Sequence, residues 1–388
     1  MAAGAVILTT AGHYLPGYRA GGPIRSLANL VDQLSDECDF RILTSDRDLG
    51  DEAPYREVEA DRWVPVGRAL VRYMSPDQQS PAAMARIIRE TSHDLLYLNS
   101  FFSPRFSILP LVLRRVGLIA RRPVVMAPRG EFSAGALALK AAKKRAYLVA
   151  GRGAGLFRGV LWQASSTFEA DDIRTVLGGA VPVALASDLA DRPPAHPPAH
   201  LPRAPGAPLR LLFLGRISPM KNLDFALRAL AMVTGRVMFD IYGPAEDETY
   251  HRLCREAAAH VPGNVQVNWN GALRPDEVGA VMARHDLFFL PTRGENFGHV
   301  IAESLTAGTP VLISDTTPWR GLAGAGIGDD LPLSDLVAFA ARIEALAAEA
   351  PQEALARRAR VAAFMRHRQQ QGGDVFDNRE LFRRAMAP

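Results

Sequence analysis

The chain has 388 residues, of which 48% are hydrophobic and 22% charged, with two cysteines and a formal net charge of +4. A single hydrophobic core rarely grows beyond roughly 250–300 residues, so this length predicts two globular domains. Cys38 and Cys254 lie far apart and exclude a thiolate zinc motif, and no apolar run approaches the roughly 20 residues of a membrane span. Together with a short apolar start that lacks the features of a signal peptide, this favours the cytoplasm.

The first half alternates short apolar runs with segments of helical spacing. Pro23 is typical of a first helical turn, and apolar residues follow it at helical spacing. Strands are predicted at Ala5–Thr10, Phe40–Thr44, Leu95–Asn99 and Pro123–Ala127. Strands that alternate with helices indicate a parallel α/β sheet.

A proline-rich stretch then interrupts this pattern. Residues 191–208 read DRPPAHPPAHLPRAPGAP, a composition that forms neither a helix nor the interior of a sheet and behaves as an extended spacer. We therefore predict a first domain at residues 1–190, a linker at 191–208 and a second domain at 209–371.

The α/β pattern starts again after the linker. A helix is predicted over Leu223–Val233, and strands at Leu209–Leu214, Met238–Tyr242, Val265–Asn268, Leu287–Pro291 and Pro310–Ser314. Ligands bind outside the carboxyl ends of the strands in open α/β sheets. The loops that follow these strands are thus expected to carry the function.

The loop GRISPMKN at 215–222 joins a predicted strand to a predicted helix. Asn222 is expected to cap that helix. Arg216 and Lys221, converging near a helix N-terminus, suit a diphosphate. An ordinary surface turn with solvated Arg and Lys side chains is the alternative.

The segment PTRGENFGHVIAESLTAGTP at 291–310 places two glutamates eight residues apart. Glu295 falls in the loop after a strand, and Glu303 falls about two turns into the following helix. This layout suits sugar hydroxyls at Glu295, phosphates at the helix start and ribose hydroxyls at Glu303. A capped surface helix with two solvated glutamates is the alternative.

The paired glycines Gly21 and Gly22 follow the first strand. Glycines let backbone N–H groups approach a ligand closely. The spacing is not G-x-G-x-x-G, so it does not indicate a dinucleotide site. A flexible turn is the alternative.

These segments resemble the retaining glycosyltransferases of family 4, and within them a bacterial exopolysaccharide and capsule type. The resemblance depends on G-R-x(4)-K-N, then E-x(7)-E within ENFGHVIAE, then AGTPV, in that order. It implies α/β architecture of the GT-B fold, with two Rossmann-like parallel-sheet domains facing across a cleft. It also implies that residues 372–388 return to pack on the first domain.

The resemblance implies a role for each site residue. Arg216 and Lys221 would bind the donor diphosphate, Glu303 the ribose, and Gly21 and Gly22 would cover the diphosphate from the first domain. The donor sugar would contact Glu295 and the segment Asn296, Phe297, Gly298 and His299, and the nucleotide base would contact the backbone of Gly271, Ala272 and Leu273. No metal and no cofactor are expected, because such enzymes are typically metal-independent.

One position departs from the family pattern. Many members carry a histidine after a central strand of the first domain, and here Arg129 stands at that spacing, followed by Glu131. An arginine is not a base at neutral pH. We expect Arg129 to stabilise negative charge and Glu131 to orient or activate the acceptor hydroxyl. A structural surface pair of Arg129 with Glu131 is the alternative.

Two further features are assigned no catalytic role. Asp46 and Asp48 spell D-x-D, but they follow the second strand, away from the predicted diphosphate site. His13 lies next to the paired glycines, where a loop histidine is more often structural than a ligand contact.

The region from Pro81 to Arg158 is strongly basic, with fourteen Lys and Arg residues against Glu90, Asp94 and Glu131. It indicates either solvated helix faces or a surface that meets anionic lipid or an anionic acceptor. Nucleic acid is not favoured, since no aromatic residues interleave with the basic ones.

The predicted function is therefore retaining transfer of a sugar from a nucleoside-diphosphate sugar to a hydroxyl. The expected acceptor is a lipid-linked oligosaccharide at the inner face of a bacterial membrane, in exopolysaccharide, capsule or O-antigen synthesis. Two alternatives stay open: a GT-B epimerase of nucleotide sugars, and a non-catalytic protein that binds nucleotide sugars.

Overall fold

A computed structural model describes residues 4–192, 200, 202–204 and 206–387. The chain divides into two compact units, Met1–Leu189 with Gly372–Pro388, and Ala190–Gln371. Half of the predicted proline-rich linker, at 193–199, 201 and 205, lies outside the described residues, as does Pro388. Arg203, within that linker, donates hydrogen bonds of 3.2 Å to the carbonyl oxygens of Leu346 and Glu349 in the second unit.

The first unit contains a sheet whose strands run in the order β3-β4-β2-β1-β5-β6-β7-β8 through the part of the unit that the structure describes. All neighbouring pairs are parallel except β3 with β4, which are antiparallel. The strands are β1 Ala5–Thr10, β2 Cys38–Ser45, β3 Trp63–Val66, β4 Ala69–Met74, β5 Leu95–Asn99, β6 Val124–Ala127, β7 Val160–Ala164 and β8 Val183–Leu185.

Helices cover both faces of this sheet. They are α1 Gly22–Leu34, α2 Pro81–Glu90, α3 Leu109–Arg115, α4 Ala134–Ala138, α5 Ala141–Gly153 and α6 Thr167–Leu177, with short helical turns at Pro76–Gln79 and Pro104–Ile108. Successive strand residues point to opposite faces, so Ile7 and Leu8 enter two different hydrophobic clusters. A sheet that is buried on both faces explains why its strands are nearly continuous apolar runs.

The second unit contains a parallel sheet with the order β11-β10-β9-β12-β13-β14 among the described residues. Its strands are β9 Leu209–Leu214, β10 Val237–Tyr242, β11 Val265–Trp269, β12 Leu287–Leu290, β13 Val311–Ser314 and β14 Gly328–Leu331. Its helices are α7 Leu223–Leu230, α8 Glu248–Ala259, α9 Val278–Arg284, α10 His299–Thr306, α11 Leu322–Ala325, α12 Leu336–Ala347 and α13 Pro351–Gln371, with a short turn at Pro275–Glu277.

The last helix, α14 Gly373–Met386, packs within the first unit. Its Leu381 and Phe382 are buried in the same cluster as Phe40 and Tyr97. The ring of Phe382 lies 6.2 Å from that of Phe40 and 5.4 Å from that of Tyr97, centroid to centroid. α14 therefore completes the core of a unit whose other elements all precede Ala190.

The predicted α/β class with two parallel-sheet domains is confirmed. Strands β2, β10 and β11 extend one or two residues beyond their predicted bounds, and three other strands are shorter by a proline. Pro123, Pro291 and Pro310 fall just outside β6, β12 and β13, because proline has no N–H to donate to a neighbouring strand. The predicted helix over Leu223–Val233 ends earlier, at Leu230. No helix of the described ranges has the length and apolar character to cross a bilayer.

Candidate functional site

Two loops at the carboxyl ends of β9 and β12 are joined by hydrogen bonds. The Arg293 amide and the Thr292 hydroxyl both donate to the Met220 carbonyl oxygen, at 2.8 and 3.1 Å. The Asn222 side-chain amide donates to the Pro291 carbonyl oxygen at 2.9 Å. These bonds hold loop 215–222 and loop 291–296 in one fixed arrangement.

Asn222 does not cap the helix as the sequence suggested. It adopts a left-handed conformation with φ of 60° and makes no side-chain cap bond to α7. Instead, its amide carbonyl accepts from Nε and Nη2 of Arg293, both at 3.2 Å, while its N–H₂ group reaches Pro291. Asn222 is 3% exposed, so its polar atoms are satisfied by the neighbouring loop instead of by the helix.

The structure brings Lys221 and Glu295 together. The Nζ atom of Lys221 lies 2.5 Å from Oε1 of Glu295, and the two side chains are 16% and 12% exposed. Arg216, in the same loop as Lys221, pairs with Glu246 at 2.6 Å, with exposures of 54% and 48%. Both cations predicted to bind a diphosphate therefore have carboxylate partners in this structure.

Close backbone packing aligns the neighbouring loops. Gly243 follows β10 with φ of 145°, and a Cβ atom there would collide with the Gly215 carbonyl oxygen. The Gly243 amide donates to the Gly271 carbonyl oxygen at 2.7 Å, and Ile217 forms a parallel bridge with Ala245. The predicted base-binding loop, in which Gly271 and Ala272 are exposed and Leu273 is half-buried, is thereby joined to the predicted diphosphate loop.

The start of α10 is shaped by Gly298 and supported by Trp319. Gly298 has φ of 81°, and a Cβ atom there would come within 3.0 Å of Ile301. The indole N–H of Trp319 donates to the Phe297 carbonyl oxygen at 2.7 Å, and the Phe297 ring lies 4.8 Å from that of His299. The preceding Asn296 is half-buried in the loop. These contacts fix the backbone through which the chain enters the helix.

Glu303 lies closer to the helix start than predicted. α10 begins at His299, so Glu303 is just over one turn into the helix and not two. Its side chain is half-buried. The roles of Glu303, Glu295 and the 296–299 backbone toward a donor stay predictions.

Arg129 and Glu131 lie in the first unit and do not form the surface pair considered as the alternative. The Arg129 side chain is 5% exposed and forms an ion pair with Asp188, which is 4% exposed. Nε and Nη2 of Arg129 donate to Oδ1 of Asn99 at 3.2 and 2.8 Å, and Nη2 donates to the Tyr97 hydroxyl at 2.8 Å. The donors of the guanidinium are thus engaged inside the protein.

Asp188 connects this arginine to α1. Its Oδ2 atom accepts from the Ser26 hydroxyl at 2.7 Å, and Ser26 also donates to the Gly22 carbonyl oxygen at 3.1 Å. Arg129 itself has φ of 58°, a left-handed conformation that is uncommon for a side chain of this size. The buried pair therefore fixes the loop after β6 relative to the first turn of α1.

Glu131 holds the loop after β5. Its Oε2 atom accepts from the Phe102 amide at 2.7 Å. Burial raises the pKa of Glu131 to about 7, although the Phe102 amide and the charge of Lys144 act in the opposite direction. A carboxyl group with this pKa can exchange a proton near neutral pH, and its predicted contact with an acceptor stays a prediction.

The paired glycines begin α1, and Asp48 orders the loop before them. Gly21 has φ of 70° and precedes the helix, and Gly22 is its first residue. Oδ2 of Asp48 accepts from the amides of Tyr18 and Arg19 at 2.9 and 3.2 Å. The D-x-D carboxylates thus bind protein groups, since Asp46 pairs with the adjacent Arg47.

Sequence analysis missed three residues of these arrangements, all of them distant in sequence from their partners. Asp188 lies 59 positions from Arg129, and Glu246 lies 30 positions from Arg216. Trp319 lies in a loop beyond β13, 22 positions from Phe297. The two glycine-adjacent loops after β9 and β10 offered an indirect signal for Glu246, because neighbouring parallel strands bring their following loops together.

Comparison with known proteins finds similarity within the second unit. Residues 202–358 match the family described as Glycosyl transferases group 1. Glycogen synthase of Alkalilimnicola ehrlichii is 34% identical over 146 residues, which cover 34% of this chain and 28% of that protein. Phosphatidyl-myo-inositol mannosyltransferase of Mycobacterium leprae is 32% identical over 142 residues, which cover 35% of this chain and 36% of that protein. The chain thus spans about a third of the length of these curated relatives.

The similarity of fold extends over both units. Anabaena HepE, solved in complex with UDP and glucose, aligns with a TM-score of 0.66 at 16% identity, covering 98% of each chain. At this identity the likeness concerns the fold alone. The sheet orders, the family match and this alignment lead to one conclusion: the chain has the GT-B fold, and its residues 202–358 match the glycosyl transferases group 1 family.

Proposed function

We propose that this chain is a metal-independent, retaining glycosyltransferase that moves a sugar from a nucleoside-diphosphate sugar to a hydroxyl acceptor. The observation that carries the proposal is the pairing of Lys221 with Glu295 at 2.5 Å. The two residues lie on loops of the second unit that hydrogen bonds join to each other. A cation and a carboxylate in this position suit the diphosphate and the hydroxyls of one sugar nucleotide. The family match over residues 202–358 also supports a glycosyltransferase.

The chemistry follows from where charge develops. The acceptor oxygen attacks the anomeric carbon, the bond from that carbon to the diphosphate oxygen breaks, and the acceptor proton passes to the leaving diphosphate. Lys221 and Arg216 neutralise the charge that accumulates on the diphosphate, which lowers the barrier. Glu295 and the backbone of 296–299 hold the sugar, and Glu303 holds the ribose, so that the reacting atoms stay aligned.

The relatives support a transferase over the alternatives. The named relatives are a glycogen synthase and a mannosyltransferase, and HepE was solved with UDP and glucose. A nucleotide-sugar epimerase would convert the donor without an acceptor. A non-catalytic binding protein would bind the donor and produce neither transfer nor hydrolysis.

We further propose that the acceptor is a lipid-linked oligosaccharide in exopolysaccharide, capsule or O-antigen synthesis, reached at the inner face of the membrane. Support comes from α5, where Lys143 and Arg145 are exposed beside Val149, which is 67% exposed, and Leu139 just before the helix is 69% exposed. A surface that combines cationic and apolar side chains favours anionic lipid. Several other basic residues of the region bind within the protein, as Arg129 does.

The donor is tested by thermal unfolding with UDP, GDP and ADP and with UDP-glucose, GDP-mannose and ADP-glucose. A ligand at 100 times its dissociation constant adds about 2.7 kcal/mol of stability. Transfer is then measured with the stabilising donor, with product analysis of donor alone to detect epimerisation. We expect Lys221→Ala to lower turnover about 10²- to 10³-fold.

A matched control separates this loss from a general loss of charge. Arg252 is exposed on α8 in the same unit and lies outside the site loops, so Arg252→Ala is expected to retain wild-type turnover. Unchanged turnover in Lys221→Ala would rule out the assigned role.

Membrane contact is tested separately by pelleting with liposomes. The wild-type protein should pellet with anionic vesicles at low salt. The double variant Lys143→Glu/Arg145→Glu should stay in the supernatant. Equal recovery of wild type with neutral and anionic vesicles would contradict the proposed surface.

A further inference from the structure

The ion pair of Lys221 and Glu295 is the more shielded of the two in the site. Its side chains are 16% and 12% exposed, whereas those of Arg216 and Glu246 are 54% and 48% exposed. Water screens an exposed pair strongly, and a shielded pair much less. The charge of Glu295 therefore acts on Lys221 with more effect than the charge of Glu246 acts on Arg216.

The loops keep Glu295 close to Lys221. The bonds of Met220 with Arg293 and of Asn222 with Pro291 join the residues that flank Lys221 to the segment just before Glu295. The aliphatic stem of Lys221 lies along Gly215, where a Cβ atom would be 3.7 Å from its Cγ and Cδ. Because both loop and stem are held, the ammonium group stays within reach of the carboxylate.

A phosphate that approaches Lys221 meets this carboxylate. An ammonium group has three N–H donors and can bond to both acceptors. The carboxylate and the phosphate are both negative, however, and they repel each other at this separation. A ligand that draws the carboxylate away from Lys221 therefore binds better than one that does not.

We propose that Glu295 is a selectivity residue that favours the sugar nucleotide over the nucleoside diphosphate product. This rests on the proposed function. With a donor bound, sugar hydroxyls donate to Glu295 and replace the N–H of Lys221, which turns to the diphosphate. After transfer the sugar is gone, Glu295 returns to Lys221, and its charge opposes the remaining diphosphate. The same carboxylate thus favours donor binding and product release.

The test compares wild type with Glu295→Gln, which keeps the size of the side chain and an acceptor for Lys221 but removes the charge. Dissociation constants are measured by calorimetry for UDP, GDP and ADP and for UDP-glucose, GDP-mannose and ADP-glucose. We expect the diphosphate that binds wild type to bind Glu295→Gln about three- to tenfold more tightly, since tenfold corresponds to about 1.4 kcal/mol. The matching sugar nucleotide should bind no more tightly, or more weakly.

Asp329→Asn is the matched control. Asp329 is 15% exposed and pairs with Arg342 at 2.5 Å, and it lies near the start of β14, away from the carboxyl end of the sheet. Asp329→Asn removes one negative charge from the unit, as Glu295→Gln does, and should leave the diphosphate affinity unchanged. Glu295→Ala also removes the charge and should likewise tighten diphosphate binding. Agreement between the two variants would exclude an effect that is specific to one substitution.

The outcomes separate the two proposals. If a diphosphate binds wild type and Glu295→Gln with equal affinity, or binds the variant less tightly, the selectivity role is wrong while the proposed function stands. A gain of the same size in Asp329→Asn would also overturn it, because general charge would then be the cause. If none of the nucleotides binds wild type or either variant, the proposed function fails and the selectivity role fails with it.

Discussion

Two ion pairs, one in each unit, show how differently a cation and a carboxylate can be used. Arg129 and Asp188 are 5% and 4% exposed, and the arginine also bonds to Asn99 and Tyr97. Lys221 and Glu295 are 16% and 12% exposed and lie between loops at the carboxyl end of a sheet. The first pair is enclosed by the protein, whereas the second is more open to water, as the proposed exchange of partners with a ligand requires. We therefore expect the two pairs to differ in how strongly they stabilise the fold.

The largest expected effect follows from breaking the enclosed pair. Arg129→Met leaves Asp188 buried without its cation, and removal of one partner of a buried pair costs about 3–5 kcal/mol. Lys221→Met leaves Glu295, which is 12% exposed, nearer to water than Asp188, so the loss should be smaller than in Arg129→Met. Urea unfolding of both variants measures the difference.

A double variant provides the check. Arg129→Met with Asp188→Asn removes both charges and should be more stable than Arg129→Met alone, because no buried charge then lacks a partner. Equal losses in Arg129→Met and Lys221→Met would contradict the distinction between the two pairs.

Glu131 tests how burial of a carboxyl group changes the pH dependence of stability. Its pKa is raised from 4.5 to about 7, chiefly by burial, so the folded state binds a proton that the unfolded state has already released. Its contribution to the free energy of unfolding is therefore lost as pH rises from 4.5 to about 7 and is constant above that. One pKa unit corresponds to about 1.4 kcal/mol, which gives a loss on the order of 3 kcal/mol.

Glu131→Gln should remove this slope while keeping an acceptor for the Phe102 amide. The measurement is urea unfolding of both proteins between pH 4.5 and 8. Buried Glu169, whose pKa is also raised by burial, is common to both proteins, so the difference isolates Glu131. Parallel pH profiles would show that the carboxyl group is ionised at low pH despite its burial.

A neutral hydrogen bond in the second unit should have a smaller effect. Trp319→Phe keeps an aromatic ring beside Phe297 but leaves the Phe297 carbonyl oxygen without its indole donor, which costs about 1–1.5 kcal/mol. Because this bond holds the entry to α10, we also expect weaker binding of the donor nucleotide. Trp63→Phe, at a half-buried strand position in the first unit, serves as the control and should not alter donor affinity.

The smallest effect is expected at the exposed pair. Glu246→Gln removes the charge opposite Arg216, and both side chains are about half exposed. Such a pair contributes roughly 0–1 kcal/mol, and we expect a change below about 0.5 kcal/mol in the free energy of unfolding. A change as large as that of Arg129→Met would mean that exposure does not govern these pairs.

Local sequence patterns predicted the fold class and nine of the strands, most of which are apolar runs bounded by glycine, proline or polar residues. Strands β3, β4, β7, β8 and β14 were not predicted. β3 contains Pro65, β8 has only three residues, and β14 carries two aspartates. Loops after strands could be chosen as candidate site segments from topology alone. The partners within those loops could not, because Asp188, Glu246 and Trp319 reach their contacts through tertiary packing.

Helix α14 has a consequence for the order in which the units form during translation. Its Leu381 and Phe382 complete the core around Phe40 and Tyr97, and Asn378 bonds to the Ser187 carbonyl oxygen at 2.7 Å. These residues leave the ribosome only after the whole of Ala190–Gln371 has been made. The second unit is continuous in sequence and can fold as soon as it emerges. The unit that is begun first is therefore the one that is finished last.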